Sequence, residues 1–137
     1  MKLRSMIIAA SGAALLACSS LALAEQTLTT TNNSPDYSTV KVGMLCSSIQ
    51  GHYTGPGHTT DSASWSTIQF FCGSSNPCKA TLYVSQDPSK GKNCKGGSAT
   101  VALHTDTGQI ELPSSVVDDS GKTIKLSSPS TYHINIG

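Results

Sequence analysis

The feature that most narrows the fold is a period of two: after the first forty positions, apolar residues return at every second place in short runs. Val40, Val42, Met44 and Cys46 share one face of such a run, with Lys41 and Gly43 between them. Ala80, Leu82 and Val84 alternate with Thr81 and Tyr83, and Ala99, Val101 and Leu103 alternate with Thr100, Ala102 and His104. Ile110 and Leu112, then Ile124 and Leu126, then Tyr132, Ile134 and Ile136 complete the series. Side chains two apart lie on one face of a strand, so each run predicts a strand with one apolar and one solvated face. Ser64–Cys72 is rich in β-formers and reads as a further strand, with Ile68, Phe70 and Cys72 on one face and Trp65 and Phe71 on the other. Asp106-Thr107-Gly108 and Asp119-Ser120-Gly121 suit tight turns, while Asn76-Pro77, Asp87-Pro88 and Gly96-Gly97 mark other connections. After Ala24 no stretch is read as an amphipathic helix. These signals predict an all-β chain: a small antiparallel β-sandwich or barrel of about seven strands.

The start of the chain has a different character. Lys2 and Arg4 precede an apolar run from Met6 to Ala17, and Ala22-Leu23-Ala24 ends the segment in small residues. Charged start, short apolar middle and A-x-A ending are the parts of a secretory signal, which predicts cleavage between Ala24 and Glu25. Ser11, Gly12, Ser19 and Ser20 interrupt the run, so it is too diluted for a transmembrane anchor. Leu15-Leu16-Ala17-Cys18 resembles the lipobox of bacterial lipoproteins and implies, as the alternative, a lipid anchor at Cys18 on the outer membrane. Residues 1–24 are thus a signal peptide, 25–38 a flexible Thr- and Asn-rich leader, and 39–137 a single β domain. Glu25–Tyr37 offers only Leu28 as a large aliphatic residue, so it lacks the alternating apolar donor strand of chaperone–usher pilus subunits.

Export sets the chemistry of the cysteines. Cys46, Cys72, Cys78 and Cys94 remain after cleavage, an even number in an oxidising compartment, and no C-x-x-C spacing points to zinc or redox catalysis. Two disulfides follow, with the pairing Cys46–Cys72 and Cys78–Cys94 preferred among three possibilities. Cleavage also takes two of the nine basic residues, leaving seven lysines against eight acidic groups and no arginine. Arginine is the usual bidentate partner of phosphate and carboxylate, so its loss argues against nucleic-acid and phospho-ligand sites.

Three places offer chemistry. In Gly51-His52-Tyr53-Thr54-Gly55-Pro56-Gly57-His58, two histidines flank a Gly-Pro-Gly turn, and His52 and His58 are the candidate ligands for copper or zinc, with His104 and His133 as possible additions. Tyr53, Trp65 and Tyr83 on a Ser/Thr-rich background are the candidate binding aromatics, since rings exposed on a sheet stack on sugars or anchor a protein partner. Ser89 and Lys92 match Ser-x-x-Lys, but that pattern works on a helix and the glycines around it predict a loop. No Gly-x-Ser-x-Gly, His-Glu-x-x-His or phosphate-cradling loop is present, so no catalytic residue and no cofactor is assigned.

The sequence therefore predicts an exported bacterial protein, periplasmic or secreted, that binds a protein or glycan partner of host or envelope through the Gly51–Asp61 loop and nearby aromatics. The alternatives are a small secreted hydrolase or enzyme inhibitor, and a metal binder built on the histidine loop.

Overall fold

A computed structural model describes residues 25–137; the expected signal peptide, the cleavage expected after Ala24 and Cys18 of the lipobox-like stretch lie outside the described residues. The chain forms two five-stranded sheets. In chain order the elements are β1 (Thr27–Asn32), β2 (Tyr37–Val42), β3 (Leu45–Cys46), a 3-10 turn (Ser47–Gln50), β4 (Thr60–Ser64), helix α1 (Trp65–Cys72), β5 (Cys78–Ser85), a one-turn helix α2 (Pro88–Gly91), β6 (Gly97–Leu103), β7 (Ile110–Glu111), β8 (Ser115–Val117), β9 (Thr123–Ser127) and β10 (His133–Ile136). One sheet runs β4-β1-β10-β9-β8 and the other β3-β2-β5-β6-β7. All strand pairs are antiparallel except β1 with β10. Among the described residues, no helix is long and apolar enough to cross a membrane.

The period-two runs supply one shared core. Leu82, Val84, Val101 and Leu103 from one sheet and Ile134 and Ile136 from the other are fully buried, and Val116, Ile124 and Leu126 join them. Burying each such side chain stabilises the fold by about 1.5–3 kcal/mol. The result is the predicted β-sandwich, with ten strands in place of about seven: β1, β3, β4 and β8 add to the runs read from the sequence, and the run at 64–72 is a helix instead.

Three expectations are corrected. Residues 27–32 are not a flexible leader: β1 pairs with β4 on one side and β10 on the other, and Leu28, Thr30 and Asn32 face inward. Asn32 stays buried because its side-chain amide donates to the Asp36 carbonyl at 2.8 Å and to Thr54 Oγ1 at 3.2 Å. Residues 65–72 are a helix rather than a strand. Ser64 Oγ accepts the Thr67 N–H at the N-terminus, Gly73 closes the other end at φ 63°, and Trp65, Ile68 and Cys72 form the buried stripe.

The helix also explains the third correction, the disulfide pairing. Bridges join Cys46 to Cys94 and Cys72 to Cys78, with Cα–Cα distances of 6.0 and 5.6 Å. Because α1 ends at Cys72, a short turn brings Cys78 back beside it. Cys94 instead follows α2, which is held on β2 by Thr39: the Thr39 hydroxyl donates to Gly91 O and accepts from Cys94 N–H. That places Cys94 over the β2–β3 pair, where Cys46 waits.

Candidate functional site

The two sheets part along one side, between the β4-β1 edge and the β3-β2 edge, and leave a cleft of about 60 Å³. Leu28, Val42, Leu45, Ala63, Ile68 and Phe71 make its apolar lining; His52, Tyr53 and Asp61 contribute polar groups. Helix α1 supplies Ile68 and Phe71, so the segment that breaks the period-two pattern is the one that shapes this opening.

The loop from Gly51 to His58 is fixed rather than loose. Ser38 and Thr54 exchange both backbone hydrogen bonds, at 2.8 and 3.0 Å. Gly55 and His58 do the same at 2.9 Å around Pro56-Gly57, and Gly57 takes φ 83°, the conformation that favours glycine in such a turn. Gly55 has a separate reason: a Cβ there would lie 2.4 Å from the Tyr37 ring. The turn folds back so that His52 Nδ1 sits 2.9 Å from Asp61 Oδ2 and His58 Nε2 3.5 Å from Asp61 Oδ1. The structure thus brings His52 and His58 to one carboxylate, that of Asp61, which the sequence reading of the two histidines as metal ligands did not include. Among the described residues, no group of three or more His, Cys, Asp or Glu side chains is arranged to hold a metal ion. His104 and His133 lie elsewhere, against Glu111 at 3.0 Å and Thr31 Oγ1 at 3.2 Å.

The three aromatics do not share a face. Trp65 is 3% exposed, packs edge-on against Tyr132 and donates its indole N–H to Thr105 O, so it is a core residue and not a ligand platform. Tyr83 lies on β5 between the inward-facing Leu82 and Val84, away from the cleft lining. Tyr53 does line the cleft, and two neighbours pack on its ring: His58, with ring centroids 4.6 Å apart, and Lys92, whose Nζ lies 4.6 Å from the centroid. Lys92 also lies over Tyr37 at 5.1 Å, while Ser89 Oγ donates to Asp87 Oδ1, so the Ser-x-x-Lys pair is split between a cation–π contact and a helix cap.

The His52–Asp61 contact has the geometry of a base and its orienting carboxylate. A nucleophile is not in place: Ser47 Oγ donates to the His52 carbonyl, and among the described residues no hydroxyl is hydrogen-bonded to either the His52 or the His58 ring.

The strongest surface feature was not visible in the sequence. The chain has two phenylalanines, and both are exposed, Phe70 by 78% and Phe71 by 39%. Phe71 reaches the cleft and touches Phe70 edge-on; Met44 and Ile49 are also exposed, and each is next in sequence to a cleft-lining residue, Leu45 and Gln50. Reading residues 64–72 as a strand hid this, because helical geometry turns Trp65, Ile68 and Cys72 inward and leaves Phe70 outside.

Comparison with known proteins bears on this architecture. A family profile described as "NttC: T2SS substrate NttC" matches residues 1–136. The crystal structure of the Legionella pneumophila type II secretion system substrate NttC superposes with a TM-score of 0.56 at 19% identity, covering 83% of this chain and 98% of that one. That likeness carries the fold. No curated protein sequence matches the chain.

Proposed function

The chain belongs to the NttC family of type II secretion system substrates and is therefore an exported protein, and we propose that it acts there by binding a protein partner through the margin of the cleft. The observation that carries this reading is the placement of both phenylalanines on the surface while an aliphatic core fills the interior. A chain this poor in aromatics gains nothing in stability from exposing them. Phe70, Phe71, Met44 and Ile49 instead offer apolar area of the kind that is buried at the centre of protein interfaces.

A protein fits better than a glycan. Sugar recognition needs an open ring face beside hydrogen-bonding groups, and Tyr53 already has His58 and Lys92 packed on its ring. The cleft beside Phe71 is apolar and suits a partner's aliphatic or aromatic side chain.

Export begins with the Met1–Ala24 signal peptide, followed by folding and disulfide formation in the periplasm. The test is affinity capture from host-cell and bacterial envelope fractions by the wild type and by a Phe70→Ser/Phe71→Ser variant, beside a panel of hydrolase substrates. The reading expects a partner kept by the wild type and lost by the variant. Substrate turnover with no retained partner would replace it with a hydrolase.

A further inference from the structure

Outside the cleft, two carboxyl groups are buried against each other between the sheets. Asp36 immediately precedes β2 and Asp118 immediately follows β8, so the pair joins one strand of each sheet. Asp36 is 0% exposed and Asp118 4%. Asp118 Oδ1 accepts the Ser120 N–H, the Ser120 hydroxyl and the Lys122 N–H at 2.9, 2.6 and 2.9 Å. Its Oδ2 and both oxygens of Asp36 have no donor, although the two carboxyls lie within hydrogen-bonding reach of each other. Asp36 is also pinned by its backbone: its N–H donates to Ser34 Oγ at 3.2 Å and its carbonyl accepts from Asn32 at 2.8 Å.

Two ionised carboxylates cannot share such a place cheaply, since each loses hydration and repels the other. One proton supplies the missing donor. Burial, then the hydrogen bond and charge of Asp118, push the Asp36 carboxyl up to about 7. Burial also works against the charge on Asp118, but donors from Ser120, Asp36 and Lys122 outweigh it and hold that carboxyl at about 2. Both shifts favour a proton on Asp36, from where it could be donated to the unpartnered Asp118 Oδ2. Other charges nearby come from the same turn and from α2: Lys122 favours ionisation of Asp36, Asp119 opposes it, and Lys90 lies 3.4 Å from Asp119 Oδ2, which also accepts from Ser85 of β5.

We propose that Asp36 and Asp118 hold a single proton between them and form a proton-dependent latch across the two sheets, closed in mildly acidic surroundings and loosened above neutrality. The native chain keeps on Asp36 a proton that the unfolded chain gives up at the ordinary value of 3.8, so this contribution to stability falls as pH rises from about 4 through about 7. Asp118 works in the other direction and is lost only as pH falls toward about 2.

The experiment is urea unfolding of the exported protein, disulfides intact, at about pH 5 and about pH 8.5, for the wild type and Asp36→Asn. An asparagine amide donates to Asp118 Oδ2 at every pH, and the four histidines are common to both proteins, so their titration cancels in the comparison. The wild-type unfolding constant is expected to rise between the two conditions by at least about tenfold more than that of the variant. Parallel profiles would overturn the proposal. So would stabilisation of the wild type by millimolar calcium chloride at about pH 8.5 that Asp36→Asn lacks, because the pair would then hold a cation rather than a proton. If the variant does not fold, carboxyl carbon NMR of the wild type decides: an Asp36 midpoint near neutrality supports the latch, and one below about 5 overturns it.

Discussion

The two disulfides close loops of very different size, and that difference predicts how much each holds the fold. Cys46 and Cys94 are separated by 48 positions and Cys72 and Cys78 by 6. On the chain-entropy relation, the long loop restrains the unfolded state by about 4 kcal/mol and the short one by about 2 kcal/mol. Packing acts the other way, because Cys72 and Cys78 are only 8% and 4% exposed while Cys46 is half-buried. Replacing the buried pair forfeits on the order of 0.5–1 kcal/mol of apolar contact, which narrows the expected gap to about 1 kcal/mol. The assay compares Cys46→Ala/Cys94→Ala with Cys72→Ala/Cys78→Ala by urea unfolding under non-reducing conditions. The first pair of changes is expected to lower the midpoint further, and to lower Tm by roughly 15 °C against roughly 10 °C for the second. If removing the Cys72–Cys78 bridge costs clearly more, or if proteolytic mapping links Cys46 to Cys72, the pairing and the role given to α1 are both wrong.

Other consequences follow from single contacts. Gly55→Ala forces a Cβ to within 2.4 Å of the Tyr37 ring and is expected to cost about 1–3 kcal/mol in thermal unfolding through that clash, whereas an alanine at Gly57 meets no neighbour and should cost about 1–2 kcal/mol through its φ of 83° alone. Ser64→Ala removes the acceptor at the start of α1 and should lower stability by about 1 kcal/mol by urea unfolding. Tryptophan fluorescence reads the only indole in the chain, and its burial predicts blue-shifted emission with little quenching by iodide; emission like that of free indole would mean that α1 is not docked.

Much of the sandwich was legible because its core strands keep the period of two. Ala80, Leu82 and Val84, Val101 and Leu103, Ile124 and Leu126, and Ile134 and Ile136 all face inward as their spacing required. The pattern failed where something other than apolar side chains fills the inward positions. In β1 these are Leu28, Thr30 and Asn32, so hydrophobic periodicity was silent and hydrogen bonding to Asp36 and Thr54 does the holding. Met44 continued the β2 alternation on paper, yet Gly43 turns the chain at φ 61° and leaves Met44 92% exposed. Helix α1 was disguised by its β-forming residues, although its capping serine, closing glycine and i, i+3, i+7 stripe of Trp65, Ile68 and Cys72 were all present.

The candidate site was legible only in part. His52 and His58 were singled out by the Gly-Pro-Gly turn and Tyr53 as an aromatic on a Ser/Thr-rich background, and the structure places the histidines on Asp61 and the His58 ring on Tyr53. Their partners Asp61 and Lys92 meet them through tertiary folding, from β4 and from the residue after α2. The exposed phenylalanines needed the helix, and the Asp36–Asp118 pair needed the topology that brings the ends of β2 and β8 together.

Partner binding through the Phe70–Phe71 margin is the central proposal for this exported protein. Placing a photo-reactive phenylalanine analogue at position 70, and as a control at Lys125 on the solvent side of β9, tests it directly in the presence of host-cell and envelope fractions. One discrete adduct is expected from position 70 and none from position 125. Equal labelling from both positions, or none from either, would contradict it.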